Sequence, residues 1–244
     1  MTTLVCLPGL LCEPEVFDPM RAVLPQQEGA PVDMRVLPLP GGDDFDALAR
    51  SLAADIPDGA VLLGMSMGSY LALRVALTHP GKLAGLVLIG TNAAADTPDA
   101  AAMRGKVARW AAREGMEALA ASLADSLVAP ARRSEKALRE RIVRMALAQG
   151  VARFTEHQKA LAGRPDQRAA LGGLTCPLLV LCGTEDGVTP LEAGRAVAEA
   201  VPEGRCIALP GTGHLAVLEA PQIVAGHLAE FLTRIATNTK EDAR

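Results

Sequence analysis

Val61-Leu62-Leu63-Gly64-Met65-Ser66-Met67-Gly68-Ser69-Tyr70-Leu71-Ala72-Leu73 is the stretch on which the reading of this chain turns. A short apolar run, the pattern of a buried strand, ends at Gly64, and an Ala/Leu-rich helical pattern begins just past Ser66. Between them, G-x-S-x-G sets a serine on a sharp strand-to-helix turn that lifts its hydroxyl above the sheet edge. The spacing has a steric cause. Such a turn presses the residues two before and two after the serine against each other and against the next strand, where only a hydrogen side chain fits, hence Gly64 and Gly68. A helix starting near Met67 also aims its first N–H groups at the serine, where a negatively charged oxygen would be stabilised. The same residues without chemistry would make an ordinary strand–turn–helix, so partners for the serine have to be sought elsewhere.

Outward from this turn the pattern alternates. Strand-like runs are expected at Thr3–Leu7, Val32–Leu37, Val61–Gly64 and Leu83–Ile89, with helical spacing over Phe45–Ile56 and Met67–Thr78. Leu83–Ile89 is almost wholly apolar, as in a parallel sheet covered on both faces. From Asp96 to about Gly163 the rhythm changes to helices alone, at about Ala100–Arg113, Met116–Leu127, Ser134–Gln149 and Val151–Ala162. Strands resume at Leu178–Cys182 and Arg205–Leu209, with helices at Leu191–Ala200 and Pro221–Ile235 and a polar, frayed tail over 237–244. This predicts an α/β fold with a mostly parallel central sheet and helices on both faces, its core made of 1–95 and 164–244, and a helical lid inserted at 96–163.

Composition bounds the function. A chain of 244 residues, 50% hydrophobic, can bury one full core. A net charge of −4 with both signs interspersed gives no electrostatic case for nucleic acid or an anionic membrane surface. No apolar stretch reaches the ~20 residues of a membrane span, and the start of the chain lacks a basic leader. Five cysteines without regular spacing make neither a disulfide framework nor a zinc site, and Cys6, Cys176 and Cys182 in apolar runs read as reduced thiols of a cytoplasmic protein. No CxxC pair, HExxH or GxGxxG is present, so no metal or organic cofactor is expected, and the partner is a small molecule. Oligomeric state has no signature here.

A serine hydroxyl needs a base, and the base an orienting acid. His79 sits beside Pro80 at a helix end, and His157 and His227 fall on predicted helices. His214 lies in Pro210-Gly211-Thr212-Gly213-His214, a glycine-rich loop directly after a strand. The acid should fall between serine and histidine in chain order. Asp186, in Gly183-Thr184-Glu185-Asp186-Gly187 after the fifth strand, is the candidate, with Glu185 as its close rival and Asp96 as a weaker one. Asp186 could also simply cap the helix that follows Pro190. For an oxyanion, the backbone N–H of Met67 is one donor, and that of Leu10, in the loop Pro8-Gly9-Leu10-Leu11, is the second, unless that loop is a plain turn.

Taken together, these segments resemble the α/β-hydrolase fold family over nearly the whole chain. The residues that carry the resemblance are Leu7-Pro8-Gly9-Leu10-Leu11, Gly64-Met65-Ser66-Met67-Gly68, the run from Cys176 to Asp186, and Gly211-Thr212-Gly213-His214-Leu215. Within the family the chain is similar to small single-lid bacterial esterases, including those acting on acyl-carrier methyl esters. Where the family often has His-Gly after the first strand, this chain has Pro8-Gly9. The resemblance implies a serine hydrolase of a small-to-medium carboxylic ester, with Ser66, His214 and Asp186 as triad. Thioesters, lactones, carbon–carbon bonds and a non-catalytic ligand-binding homologue stay open. Trp110, Met116 and Met145 are expected to supply apolar wall for the substrate, or else to pack the inserted helices together. Charged substrates should be poor unless Arg104, Arg109 or His157 turns inward.

Overall fold

The computed structural model describes residues 2–24 and 31–241. In chain order, strand β1 (Thr2–Leu7), helix α1 (Asp18–Val23), β2 (Val32–Val36), α2 (Phe45–Asp55), β3 (Ala60–Met65), α3 (Met67–Thr78) and β4 (Leu83–Ile89) lead to three consecutive helices. These are α4 (Pro98–Glu114), α5 (Met116–Ala124) and α6 (Lys136–Ala162). Then come β5 (Leu178–Gly183), α7 (Leu191–Glu199), β6 (Gly204–Leu209), the one-turn α8 (Ala216–Glu219) and α9 (Pro221–Glu241).

The six strands form one sheet in the order β2-β1-β3-β4-β5-β6, every pair parallel. Period-two alternation explains why its central strands read as continuous apolar runs. Leu62, Leu86, Leu88, Leu178 and Val180 face one core layer, packed with Leu48, Leu52, Leu71, Val75 and Val197 of α2, α3 and α7. Their neighbours Val61, Leu63, Val87, Ile89, Leu179 and Leu181 face the other, with Phe17, Met20, Leu228 and Phe231. Both faces are buried, so neither can be polar.

The registers bring the carboxyl ends of the strands level. Leu7 pairs with Gly64, Met65 with Ile89, Ile89 with Leu181, and Gly183 with Leu209. The chain order reverses direction between β1 and β3, and a reversal of this kind opens a crevice at the carboxyl edge. The loops after β1, β3, β5 and β6 therefore meet there.

One expectation is met and one needs adjustment. The two helices expected at Ser134–Gln149 and Val151–Ala162 are both present within α6, separated at Gly150 (φ 72°, ψ 167°), whose missing Cβ permits the non-helical backbone that breaks the helix there. The polar tail is not frayed at 237: α9 continues to Glu241, and 242–244 lie outside the described residues. Helix α8, too short to show a period, has no sequence signature. Among the described residues no helix is long and apolar enough to cross a membrane.

Candidate active site

Ser66 is the sharpest point of the fold. Its φ of 53° and ψ of −122° lie outside the regions an L-residue prefers, and such strain costs of order 1–3 kcal/mol unless the surroundings impose it. The surroundings do so here. The Ser66 N–H donates to the Ile89 carbonyl at 2.8 Å, and its carbonyl accepts from the Ser69 N–H (2.8 Å) and hydroxyl (2.6 Å). A Cβ on Gly64 would fall on the Gly68 carbonyl, and one on Gly68 on the carbonyls of Leu7 and Pro8. Gly68→Ala should therefore cost more than the ~1–3 kcal/mol of ordinary overpacking, because backbone rather than a flexible side chain must give way. A denaturation midpoint within that ordinary range would contradict this geometry.

Above the turn, Ser66 Oγ and His214 Nε2 are 2.8 Å apart, and His214 Nδ1 and Asp186 Oδ2 are also 2.8 Å apart. The His214 and Asp186 side chains are 2% and 1% exposed, so both hydrogen bonds are largely shielded from water. Asp186 uses every acceptor site it has. Oδ1 accepts the N–H groups of Val188 (2.8 Å) and Thr189 (2.9 Å), and Oδ2 accepts the Thr189 hydroxyl (2.7 Å) as well as the imidazole. Burial alone would raise this carboxyl, but His214, by hydrogen bond and charge, and Thr189 outweigh it and hold the pKa below its usual value. The turn-capping role and the link to the histidine thus coexist on one carboxylate. Glu185 is exposed, and Asp96 is paired elsewhere, with Arg104 and Arg164. Of the other histidines, His79 bonds within its helix end, and His157 Nε2 donates to the Pro40 carbonyl at 2.9 Å. His227 lies along α9 beside Glu230.

The loop after β1 passes close to the serine: a Cβ on Gly9 would lie 3.2 Å from Ser66 Cβ. Cys12 N–H donates to the Gly9 carbonyl at 3.1 Å, and Leu11 takes a φ of 61°. Among the described residues only Leu11 and Ser66 combine a side chain with positive φ, and both line the same cavity. Leu10 and Met67 line it too, and Met67, first residue of α3, has no intrahelical acceptor for its N–H.

This cavity, about 220 Å³, holds Ser66 and His214 between the sheet edge and the helical block. From the block come Arg104, Leu123, Ser126, Leu127, Gln158 and Leu161. Trp110, Met116 and Met145 do not line it. Met116 is buried with Ala111, Leu119 and Phe154 between the helices, and Trp110 packs against that cluster. Met145 borders only a small apolar void behind Leu123 and Leu127. The apolar side chains of the inserted helices thus divide between helix packing, as Met116 does, and the cavity, as Leu123 does. Arg109 is exposed, but Arg104 does turn inward. Tyr70, Gln158 and Thr189 went unmarked in the sequence. Tyr70 could have been found, since it stands four residues after Ser66 on the helix and so on the same face. A larger groove of about 540 Å³ between Leu37–Gly41 and Ala148–Arg153 contains none of these groups, so volume alone does not mark the site.

The helical block is stitched to the sheet at two places. At its root, Gln167 N–H donates to the Ala93 carbonyl (2.8 Å), Arg164 Nε to the Ala94 carbonyl (3.1 Å), and Arg164 pairs with Asp96 (2.6 Å). At its far loop, buried Glu219 accepts the N–H groups of both Ala129 (2.8 Å) and Gly213 (3.1 Å), and Leu215 N–H donates to the Leu127 carbonyl (3.1 Å). Burial pushes the Glu219 carboxyl up, against the pull of the Ala129 and Gly213 N–H groups.

A hydroxyl, an imidazole and a carboxylate in series, beside unpaired N–H groups, can attack a carbonyl carbon and hold the resulting oxyanion. The chain matches the model of the alpha/beta hydrolase fold over residues 43–221. It is 30% identical to a pimeloyl-[acyl-carrier protein] methyl ester esterase of Aromatoleum aromaticum, covering 90% of this chain and 93% of that one. It is 32% identical to one of the same name from Chromobacterium violaceum, covering 78% and 76%. A thermophilic esterase from Thermogutta terrifontis superposes with a TM-score of 0.84 at 28% identity, over 96% of this chain and 90% of that one. The chain belongs to the alpha/beta hydrolase family.

Proposed function

We propose that the chain hydrolyses carboxylic esters of small to medium size through an acyl-enzyme. Ser66 Oγ attacks the carbonyl carbon while His214 Nε2 takes its proton. The tetrahedral oxyanion lies against the N–H groups of Leu10 and Met67. His214 then protonates the leaving alcohol, and water, deprotonated by the same nitrogen, releases the acid and regenerates the serine. Asp186 keeps the Nδ1 proton in place and stabilises the imidazolium. The observation that carries this reading is the continuous pair of 2.8 Å hydrogen bonds from Ser66 through His214 to Asp186. The esterase names of the relatives at 30% and 32% identity support ester over other leaving groups. Residues 96–163 serve as a helical lid on a core of 1–95 and 164–244. Free cysteines, Cys6, Cys12, Cys176 and Cys182 among them buried, suit a reducing compartment, and the protein is assigned to the cytoplasm.

A fluorophosphonate probe should label Ser66, and kcat/KM should be measurable on p-nitrophenyl esters of short and medium acyl chains. Only modest discrimination per methylene is expected, about 1–3 kcal/mol. Turnover confined to coenzyme A thioesters would overturn the ester reading. An unlabelled Ser66 would favour the non-catalytic homologue.

A further inference from the structure

The wall of the cavity is apolar at Leu10, Leu11, Leu123, Leu127, Leu161 and Val188, yet one end of it is charged. Apart from His214, Arg104 is the ionisable cation among the described lining residues. Its guanidinium donates through Nε and Nη2 to Asp96 and through Nη1 to Gln158 Oε1 at 3.0 Å. That uses three of five N–H groups and leaves the side chain 25% exposed.

The charge behind it does not balance. Asp96, 5% exposed, is shared between Arg104 and Arg164, which is itself 5% exposed. Burial would raise the Asp96 carboxyl, but the two guanidiniums outweigh it and hold it below its usual value. One carboxylate therefore faces two cations. Arg164 is committed to the carbonyls of Ala94 and Leu161, to Asp96, and to the face of Tyr70 at 5.0 Å. The surplus positive charge is expressed at Arg104, inside the cavity. Gln158 is 7% exposed and has its oxygen taken by Arg104, so its amide donor is the end it offers the cavity. A forked guanidinium with spare donors beside an amide N–H, in a pocket with mostly apolar walls, matches a carboxylate better than any neutral group.

We propose that Arg104 and Gln158 form a subsite for a carboxylate carried by the substrate, so that the enzyme prefers half-esters of dicarboxylic acids, or esters of hydroxy acids, over neutral esters. The proposal rests on the ester-hydrolase reading for its chemistry but not for its binding. Binding is therefore measured first, by calorimetry with glutarate against neutral glutaramide. Glutarate should bind roughly 10- to 100-fold more tightly, with the difference lost in Arg104→Gln and partly kept in Arg104→Lys. Turnover then locates the charge. Monomethyl glutarate against methyl glutaramate carries it on the acyl side, and O-acetylglycolate against O-acetylglycolamide on the alcohol side. A similar kcat/KM preference is expected on one of the two arms, collapsing toward unity within Arg104→Gln. Because each preference is a ratio within one variant, a general loss of folded protein does not mimic it. Gln158→Leu, which leaves the Arg104–Asp96 pair in place, should lower the ratio as well. Equal binding of glutarate and glutaramide, or a preference that survives Arg104→Gln, overturns the proposal. Arg104-dependent glutarate binding without labelling of Ser66 would leave the subsite standing and refute the hydrolase.

Discussion

Ser66→Ala is expected to lower kcat on p-nitrophenyl acetate by roughly 10⁴–10⁶, His214→Ala by a similar factor, and the double variant by little more than either. The geometry gives the reason. Ser66 Oγ and His214 Nε2 share one hydrogen bond, and in the proposed mechanism each acts only through the other. Removing the oxygen leaves a base with nothing to activate, and removing the imidazole leaves a hydroxyl too weakly acidic to attack. The Leu10 and Met67 N–H groups and the cavity survive in every variant, so residual activity should be the same in all three. Ser66→Ala deletes a single atom and leaves the backbone bonds to Ile89, Ser69 and Tyr70 in place, so the loss should appear without a matching loss of stability. Losses that multiply in the double variant would mean that serine and histidine act in separate steps.

Asp186→Asn should cost about 10⁴ in kcat, against little for Glu185→Gln. An amide cannot satisfy four donors. Were its nitrogen to replace Oδ1, the Val188 and Thr189 N–H groups would both lose their acceptor. The nitrogen must therefore take the Oδ2 position and donate to His214 Nδ1, which moves the imidazole proton to Nε2. A protonated Nε2 cannot take the proton of Ser66. The Thr189 hydroxyl can rotate to accept instead, so the fold should tolerate the change better than the chemistry does. The variant carries a second signature. Asp186 has a lower pKa folded than unfolded, so the unfolded chain binds its proton more readily. Its stabilising contribution is present above the unfolded value, ~3.9, and is lost as pH falls through the folded value. The urea midpoint should fall less steeply on acidification from about pH 5 in Asp186→Asn than in the parent protein. If Glu185→Gln proves the damaging change, the loop is misassigned by one residue.

The parts of the fold and site that could be read from the chain are those set by local sterics and by alternation. Gly64 and Gly68 announce their turn because no side chain fits against the Gly68 and Leu7 carbonyls, and that constraint acts within five residues and one neighbouring strand. Leu83–Ile89 announces a buried strand because both of its faces must be apolar. Ser66, His214 and Asp186 could be brought together on paper because each follows a strand, and the carboxyl ends of parallel strands meet. The lining of the cavity was opaque for the opposite reason. Met116 and Leu123 are both apolar residues at helical spacing on one element, and only the packing of α4 and α6 against it decides which of them meets a helix and which meets the cavity. Arg104 looks like any surface arginine until Asp96 and Arg164 are seen beside it. Glu219's tie to the helical block has no local signature, since its partner there, Ala129, is ninety residues away.

That carboxylate has a consequence for how substrate reaches the serine. Glu219 ties the Ala129 loop to Gly213, the residue before His214, while Arg164 pairs with Asp96 where the helical block begins. On the reading of 96–163 as a lid, these bonds hold it against the core on both sides of the cavity. Lifting it would strip Glu219 of the Ala129 N–H and break the Leu215–Leu127 hydrogen bond beside His214. Substrate would then enter past the exposed side chain of Val188 and the partly buried Leu123 and Leu127, which line the cavity. On the proposed function, the width of that opening sets which molecules reach Ser66, with Ser66, His214 and Asp186 already joined by hydrogen bonds.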